Sequence, residues 1–193
     1  MKELNERTLV LIKPDAVKKG IVGKIITRLE EAGLKIIALK MVWADEEFAR
    51  NHYFLDENWA KEVFKKAKKT MEKEGKKFPY KNHMEYGKKI QNWNAEILKS
   101  GPTIAIVLEA PHAIEITRKI IGPTEPRKAP PGTIRGDFAS HESYEFSNLK
   151  NRAVKNLIHA SDSPKSAKRE IALWFDSEEI HSNYKTAHEL LFL

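Results

Sequence analysis

Three short apolar runs, each closed by a turn or by a helical signal, constrain this chain more than any other feature of its sequence. Arg7 to Lys13 is dense in β-formers and ends at Pro14-Asp15, so it reads as a strand stopped by a turn. Leu34 to Trp43 is apolar on both faces except at Lys35 and Lys40, as a central strand covered by helices would be. Thr103 to Ala110 is a third strand. Between the first two, Ile25, Ile26, Leu29 and Ala32 keep a helical period, and Gly33 suits the position past the last turn. His52-Tyr53 falls on a short helical stretch. Trp59, Val63, Phe64, Ala67 and Met71, then Ile90, Trp93, Ile97 and Leu98, make two amphipathic stripes joined by an exposed connection from Glu72 to Tyr86.

After the third strand, His112 to Ile121 reads as a helix ending at Gly122. Prolines at 123, 126, 130 and 131 keep Gly122 to Pro131 out of regular structure. Gly132 and Gly136 allow close backbone approach across Gly132 to Phe138. Ser140 to Ala153 is a polar excursion, Val154 to Ile158 resumes a strand-like run, and Pro164 to Phe175 is a last helix leading to an irregular tail. The order strand, helix, strand, helical insert, strand, helix, strand, helix places the chain in the α+β class. It suits a split βαβ sheet with helices on one face.

Composition narrows the chemistry more than the fold. At 193 residues and 41% hydrophobic, residues 1–193 can build one core. A net charge of +7 implies attraction to anions without choosing among them, and the lysine-rich helical region reads first as a solvated surface. With no cysteine, a thiol nucleophile, a disulfide scaffold and thiolate zinc sites are excluded. The apolar run Leu9 to Ile12 is too short for a signal or membrane segment, so the expectation is a soluble, cytoplasmic protein that does not enter a membrane.

Neither G-x-x-x-x-G-K-[ST] nor G-x-G-x-x-G occurs, and no His, Asp and Glu have the spacing of a metal cage. What remains is His159, ahead of a helix start at which Ser163 suits the N-cap and Pro164 the first position. A neutral imidazole can attack phosphorus with one ring nitrogen if the other keeps its proton on an acceptor. Glu170, two turns into the following helix, is of the right type for that acceptor, and also for an ordinary surface glutamate. Phosphoryl transfer further needs charge neutralisation and positioning. Lys13, Arg118 and Arg135 are suitable cations at element ends or in a glycine-rich stretch, with Thr124 and Asn156 as neutral donors, although spacing alone leaves each open to a purely local role.

Three stretches then carry a resemblance. Glu6-Arg7-Thr8-Leu9-Val10-Leu11-Ile12-Lys13-Pro14-Asp15-Ala16-Val17, Gly132-Thr133-Ile134-Arg135-Gly136-Asp137-Phe138 and Asn156-Leu157-Ile158-His159-Ala160-Ser161-Asp162-Ser163 closely resemble the nucleoside diphosphate kinase family. The resemblance covers Arg7 to Tyr53 and Ser100 to about Tyr184. It implies a ferredoxin-like βαββαβ sandwich with an antiparallel sheet, and a ping-pong enzyme moving the γ-phosphate of ATP or another nucleoside triphosphate to a nucleoside diphosphate. His159 would be the carrier, phosphorylated on Nδ1. Lys13, Tyr53, Arg118, Thr124, Arg135 and Asn156 would contact phosphate and sugar, Glu170 would orient His159, and Ser161 would stand beside it. Mg²⁺ would arrive on the nucleotide phosphates, without a direct protein ligand.

The resemblance lapses over two inserts, about 56–99 and 140–153. The family usually carries a phenylalanine after the His-Tyr pair on which the base stacks. Here that segment runs into the first insert, where Trp59 and Phe64 are candidate substitutes without a residue-by-residue match. The proline-rich loop resembles the one that builds trimers in the family, so a homo-oligomer is expected, a hexamer ahead of a tetramer. RNA-recognition modules share the βαββαβ order, but their aromatic signature is missing, so no nucleic acid is required. A catalytically silent scaffold is disfavoured by His159, Arg118 and Arg135.

Overall fold

The computed structural model describes residues 4–73, 75 and 77–192. Four strands, β1 (Asn5–Ile12), β2 (Lys35–Val42), β3 (Thr103–Pro111) and β4 (Ile158–Ala160), form one sheet in the order β2-β3-β1-β4. Every neighbouring pair is antiparallel. Two strand-to-strand crossovers fix that order. The first carries α1 (Pro14–Lys18) and α2 (Val22–Glu31) from β1 to β2, and the second begins with α6 (Ala113–Ile121) after β3 and ends at β4. This is the ferredoxin-like α+β architecture.

Alternation along the two central strands assigns residues to two cores. Val10, Ile12, Ile104, Ile106 and Leu108 face Ile25 and Leu29 of α2 and Ile121 of α6. Leu9, Leu11, Ala105 and Val107 face the opposite side, where α3 (Glu46–His52), α5 (His83–Lys99) and α9 (Pro164–Trp174) supply Ala49, Leu98 and Trp174. Helices therefore cover both faces of the sheet rather than one.

The second strand is an edge, not a centre. Leu34, Ile37 and Ala38 are buried, but the second half of its apolar run is left in the open: Leu39 is 50% exposed and Met41 62%, with Trp43 just beyond at 69%. A register shift between Ile36 and Ala38 marks an irregularity against β3, and the Ile37 carbonyl there accepts a bond from His181 N at 2.7 Å.

Several expected boundaries move for identifiable reasons. Pro14-Asp15 starts a helix instead of a turn, because proline at the first helical position gives up only an N–H that has no partner there. The amphipathic stripes become α4 (Glu57–Lys73) and α5, so the exposed connection is shorter than Glu72 to Tyr86. Asn82 caps α5 by accepting bonds from Met84 N and Glu85 N. Pro126–Lys128 forms a single 3₁₀ turn in the proline-rich loop, and the stretches beyond it hold α7 (Ile134–Ala139) and α8 (Tyr144–Leu149). The tail is partly regular, with a 3₁₀ turn at Ser177–Glu179 and α10 (Ala187–Phe192). The last strand starts at Ile158 rather than Val154, which puts His159 on the strand itself.

Candidate active site

The strand shift has a local cause. Leu157 has φ +68°, and Ile158 N donates to the Asn156 carbonyl at 2.7 Å, which together make a γ-turn of the rare positive-φ kind. Backbone of this sort costs about 1–3 kcal/mol and persists only where its surroundings hold it. Asp15 Oδ2 accepts from Leu157 N at 2.9 Å, and the Leu157 carbonyl accepts from Lys13 N at 2.8 Å. The start of α1 thus clamps the turn that aims β4, a role for Asp15 that no sequence signal announced.

His159 pairs with Leu11 in the register of β4 on β1, so a central strand whose second half is fully buried fixes its backbone. Glu170 reaches it from α9, whose first turn is set by Ser163 accepting from Ser166 N, with Pro164 at the first position. His159 Nε2 and Glu170 Oε2 are 2.9 Å apart, and Ser161 Oγ donates to the same oxygen at 2.7 Å while accepting from Leu9 N at 3.3 Å. Burial pushes the Glu170 carboxyl up, but the adjoining His159 and the Ser161 hydrogen bond outweigh it and hold it down at about 2. The carboxylate is therefore ionised at neutral pH and can only accept. In a neutral His159 ring the proton then belongs on Nε2, and Nδ1 keeps its lone pair.

The three expected cations divide by environment. Lys13 is buried at the end of β1, and its Nζ donates to Asn156 Oδ1 at 2.6 Å. Burial lowers its pKa with help from Arg135, against Asp15 and Glu142. Arg135 is buried in α7 and donates from Nε to the Asn156 carbonyl at 3.2 Å, from Nη1 to that of Gly122 at 2.8 Å and from Nη2 to that of Ile158 at 2.6 Å. Burial brings its pKa down to about 10, which leaves it charged at neutral pH. A guanidinium has five N–H bonds and an ammonium three, so each retains donors for an anion after its structural bonds are made. Arg118 is exposed in the last turn of α6 and lines a groove of about 560 Å³ with Lys119, Asp162 and Pro164.

The neutral residues join these charges. Asn156 donates from Nδ2 to the Thr124 carbonyl at 2.9 Å while accepting from Lys13, which ties the proline-rich loop to β1 and β4. Gly136 serves the close approach expected of it, and so does Gly122 at the end of α6, whereas a Cβ on Gly132 would meet nothing within 4 Å and glycine is called for there by a φ of +88°. A Cβ on Gly122 would strike the Thr133 side chain, and one on Gly136 would run into the Pro130 carbonyl. Tyr53 closes α3, with its ring 6.3 Å from that of His159, and burial raises its hydroxyl pKa.

Two residues stand apart from expectation. Phe64 is engaged within the helical hairpin, edge-on to Phe78 at 5.0 Å and to Tyr86 at 6.2 Å, while Trp59 is half-buried. Phe54, which follows Tyr53 directly, has 57% of its surface free. In the sequence His52 has no role beyond one half of a His-Tyr pair, yet it is buried with its ring 4.6 Å from that of His159. Its hydrogen-bond partner, Trp174 Nε1 at 3.2 Å, comes from α9, beyond the reach of any local pattern.

Chains of established type match this arrangement along nearly their whole length. The family model described as nucleoside diphosphate kinase matches residues 6–78 and 70–180, and the two matches meet inside the helical hairpin. A nucleoside diphosphate kinase of Pyrobaculum aerophilum is 45% identical over 179 residues, covering 91% of this chain and 97% of its own. Coverage so high means that the hairpin is shared with that relative. A crystal structure of an NDP kinase from the same organism superposes with a TM-score of 0.86 at 42% identity, over 92% of this chain and 100% of that one. The nucleoside diphosphate kinase of Borrelia burgdorferi, held with vanadate and ADP as a transition-state mimic, gives a TM-score of 0.79 at 36% identity over 97% and 96% of the two chains.

Proposed function

Because this chain belongs to the nucleoside diphosphate kinase family, and is a phosphotransferase acting on nucleotides, we propose that His159 carries the phosphate between a nucleoside triphosphate and a nucleoside diphosphate. The observation that supports this most directly is the commitment of Nε2 to Glu170, which leaves Nδ1 as the nucleophile. Its lone pair attacks the γ-phosphorus as the bond to the bridging oxygen breaks, and that electron pair leaves on the departing diphosphate. The ring, now cationic, keeps its Nε2 proton on Glu170, and the reverse step with a second diphosphate restores the neutral imidazole.

Lys13 and Arg135 hold the phosphates with the N–H bonds their structural partners leave over, and Arg118 adds an exposed cation. Lys13 and Asn156 also set the register of the sugar, Thr124 adds a neutral donor, and Tyr53 closes the side toward α3. The donors gathered here are cations and neutral groups, with Glu170 bonded through Oε2 and Asp15 through Oδ2, its buried Oδ1 lacking a partner among the described residues, which fits phosphates that bring Mg²⁺ with them. When bound, Mg²⁺ would neutralise and orient the phosphate oxygens. Of the aromatic candidates for the base, Phe54 has the freest face. Replacing Phe54 and Trp59 separately by alanine and measuring KM for the triphosphate discriminates between them.

The whole chain is proposed to act as one domain with inserts at 56–99 and 140–153. A homo-oligomer, with a hexamer ahead of a tetramer, accords with the proline-rich loop and with the apolar row of Leu39, Met41 and Trp43 along the β2 edge. Light scattering of the purified chain tests it. Among the described residues no helix is long and apolar enough to cross a membrane, and work in the cytoplasm accords with the substrates. Incubation with γ-labelled ATP and Mg²⁺ should give base-stable, acid-labile label that ADP or GDP removes. A chain that takes no label would end this reading.

A further inference from the structure

His52, the last residue of α3, is buried against the proposed carrier, and the mechanism above does not use it. Its Nδ1 lies 3.2 Å from Trp174 Nε1. An indole N–H can only donate, so Nδ1 holds a lone pair and the neutral ring carries its proton on Nε2. That nitrogen is buried and has no hydrogen-bond partner among the described residues. The ring meets His159 edge to face, with centroids 4.6 Å apart and planes at 87°. Behind it, Trp174 is itself held edge-on by Phe48 at 4.8 Å. A chain of rings therefore runs from the packed interface of α3 and α9 to His159.

His52, His159 and Glu170 also offer ligand atoms within 4.8 Å of one another, but the hydrogen bonds argue against a cation there. A metal on His52 Nε2 would move the ring proton to Nδ1, where the Trp174 N–H already points. Glu170 Oε2 is likewise taken by two donors. The same commitments suit a brace.

We infer that His52 is a positioning residue for phosphoryl transfer: Trp174 fixes its tautomer, and its uncharged ring holds the His159 imidazole with Nε2 on Glu170 and Nδ1 toward the phosphate. This rests on His159 as the carrier. Attack leaves the His159 ring cationic, so a second imidazolium against it would oppose the step. Burial and His159 both push His52 well below its ordinary pKa, with Arg169 adding to them and Glu170 opposing, so the brace stays neutral where the enzyme works.

The test uses the full chain with His52→Phe, His52→Asn or Trp174→Phe, and follows single-turnover labelling by γ-labelled ATP. His52→Phe keeps a ring but loses the acceptor, and its labelling rate should fall roughly 10- to 100-fold with KM changed by less than about twofold. His52→Asn, whose side-chain oxygen can still accept from Trp174, should recover part of that loss. Trp174→Phe removes the bond that favours neutral His52, so the acid limb of the labelling rate should move to higher pH. Long-range ¹H–¹⁵N spectra of the wild type should place the His52 proton on Nε2. A wild-type rate in folded His52→Phe, or a proton on Nδ1, overturns the inference. If His52→Phe does not fold, the Trp174→Phe profile and the wild-type tautomer decide it. A wild type that takes no label would instead remove the phosphohistidine reading beneath it.

Discussion

Lys13 and the lysines of α4 carry the same ammonium group in opposite settings. Lys13 is buried at a strand end and spends one N–H on Asn156, whereas Lys61, Lys65, Lys66, Lys68, Lys69 and Lys73 lie exposed on a helix. Two of these lysines pair locally on that helix, Lys61 with Glu57 at 2.6 Å and Lys68 with Glu72 at 3.8 Å, and such pairs contribute little in water. Burial makes the difference informative. A buried charge must be matched bond by bond, so the bonds left over can be counted, while an exposed charge is satisfied by solvent and says nothing about a ligand.

The largest effect expected at the buried end is that of His159→Ala, which should abolish phosphoenzyme labelling. His159 is only half-buried on its strand, so the circular dichroism spectrum should stay that of the wild type. Label persisting in this variant would place the nucleophile elsewhere and dissolve the contrast. Arg135→Ala comes next, because it removes both an anion donor and the partner of three carbonyls. Rate constants should drop by about 10²–10³-fold, and urea unfolding should show a loss of about 3 kcal/mol or less. Arg135→Lys should restore the charge but not the three-carbonyl fork, and so rescue little of either.

Glu170→Gln sharpens the comparison through pH. The Glu170 carboxyl sits near 2 in the folded chain against an ordinary 4.5. A depressed carboxylate contributes stability that is fully present above the unfolded value and is lost as pH falls toward the folded one. Wild type should therefore lose its advantage over Glu170→Gln between about pH 4.5 and pH 2, measured by urea midpoints at each pH. A gap that stays constant across that window would mean the carboxylate is not held as the structure has it. At neutral pH the amide can offer N–H to Nε2 and favour the wrong tautomer, so labelling should slow by about 10²-fold or more.

How much of this could be read from the sequence follows the same division. The βαββαβ order was legible because periods of 2 and 3.6 are local, and so were the cap at Ser163 and the proline at 164. His159, Lys13, Arg135 and Asn156 were legible as residue types at element ends, and the matched motifs supplied their convergence. The place of β2 at the edge was not, since a strand whose later apolar side chains stand in the open reads like a buried one. Nor was Asp15 as a clamp on Leu157, because the turn it holds has no signature in Asn156-Leu157-Ile158. His52 needed Trp174, 122 positions along the chain, and no spacing rule spans that distance.

The smallest effect tests the other half of the comparison. Lys65, Lys66 and Lys69 lie on the exposed face of α4, and nothing in the site depends on them. Replaced together by serine, they should shift the melting temperature by about 2 °C or less and leave kcat for phosphate transfer at the wild-type value. They do add positive potential, and nucleotides are anions, so kcat/KM at low ionic strength should fall modestly and the difference should vanish as salt rises. Steady-state assays at two salt concentrations separate these outcomes. A loss of kcat that salt does not erase would show that the helix reaches the chemistry, and that its lysines, like Lys13, have partners that the free chain does not display.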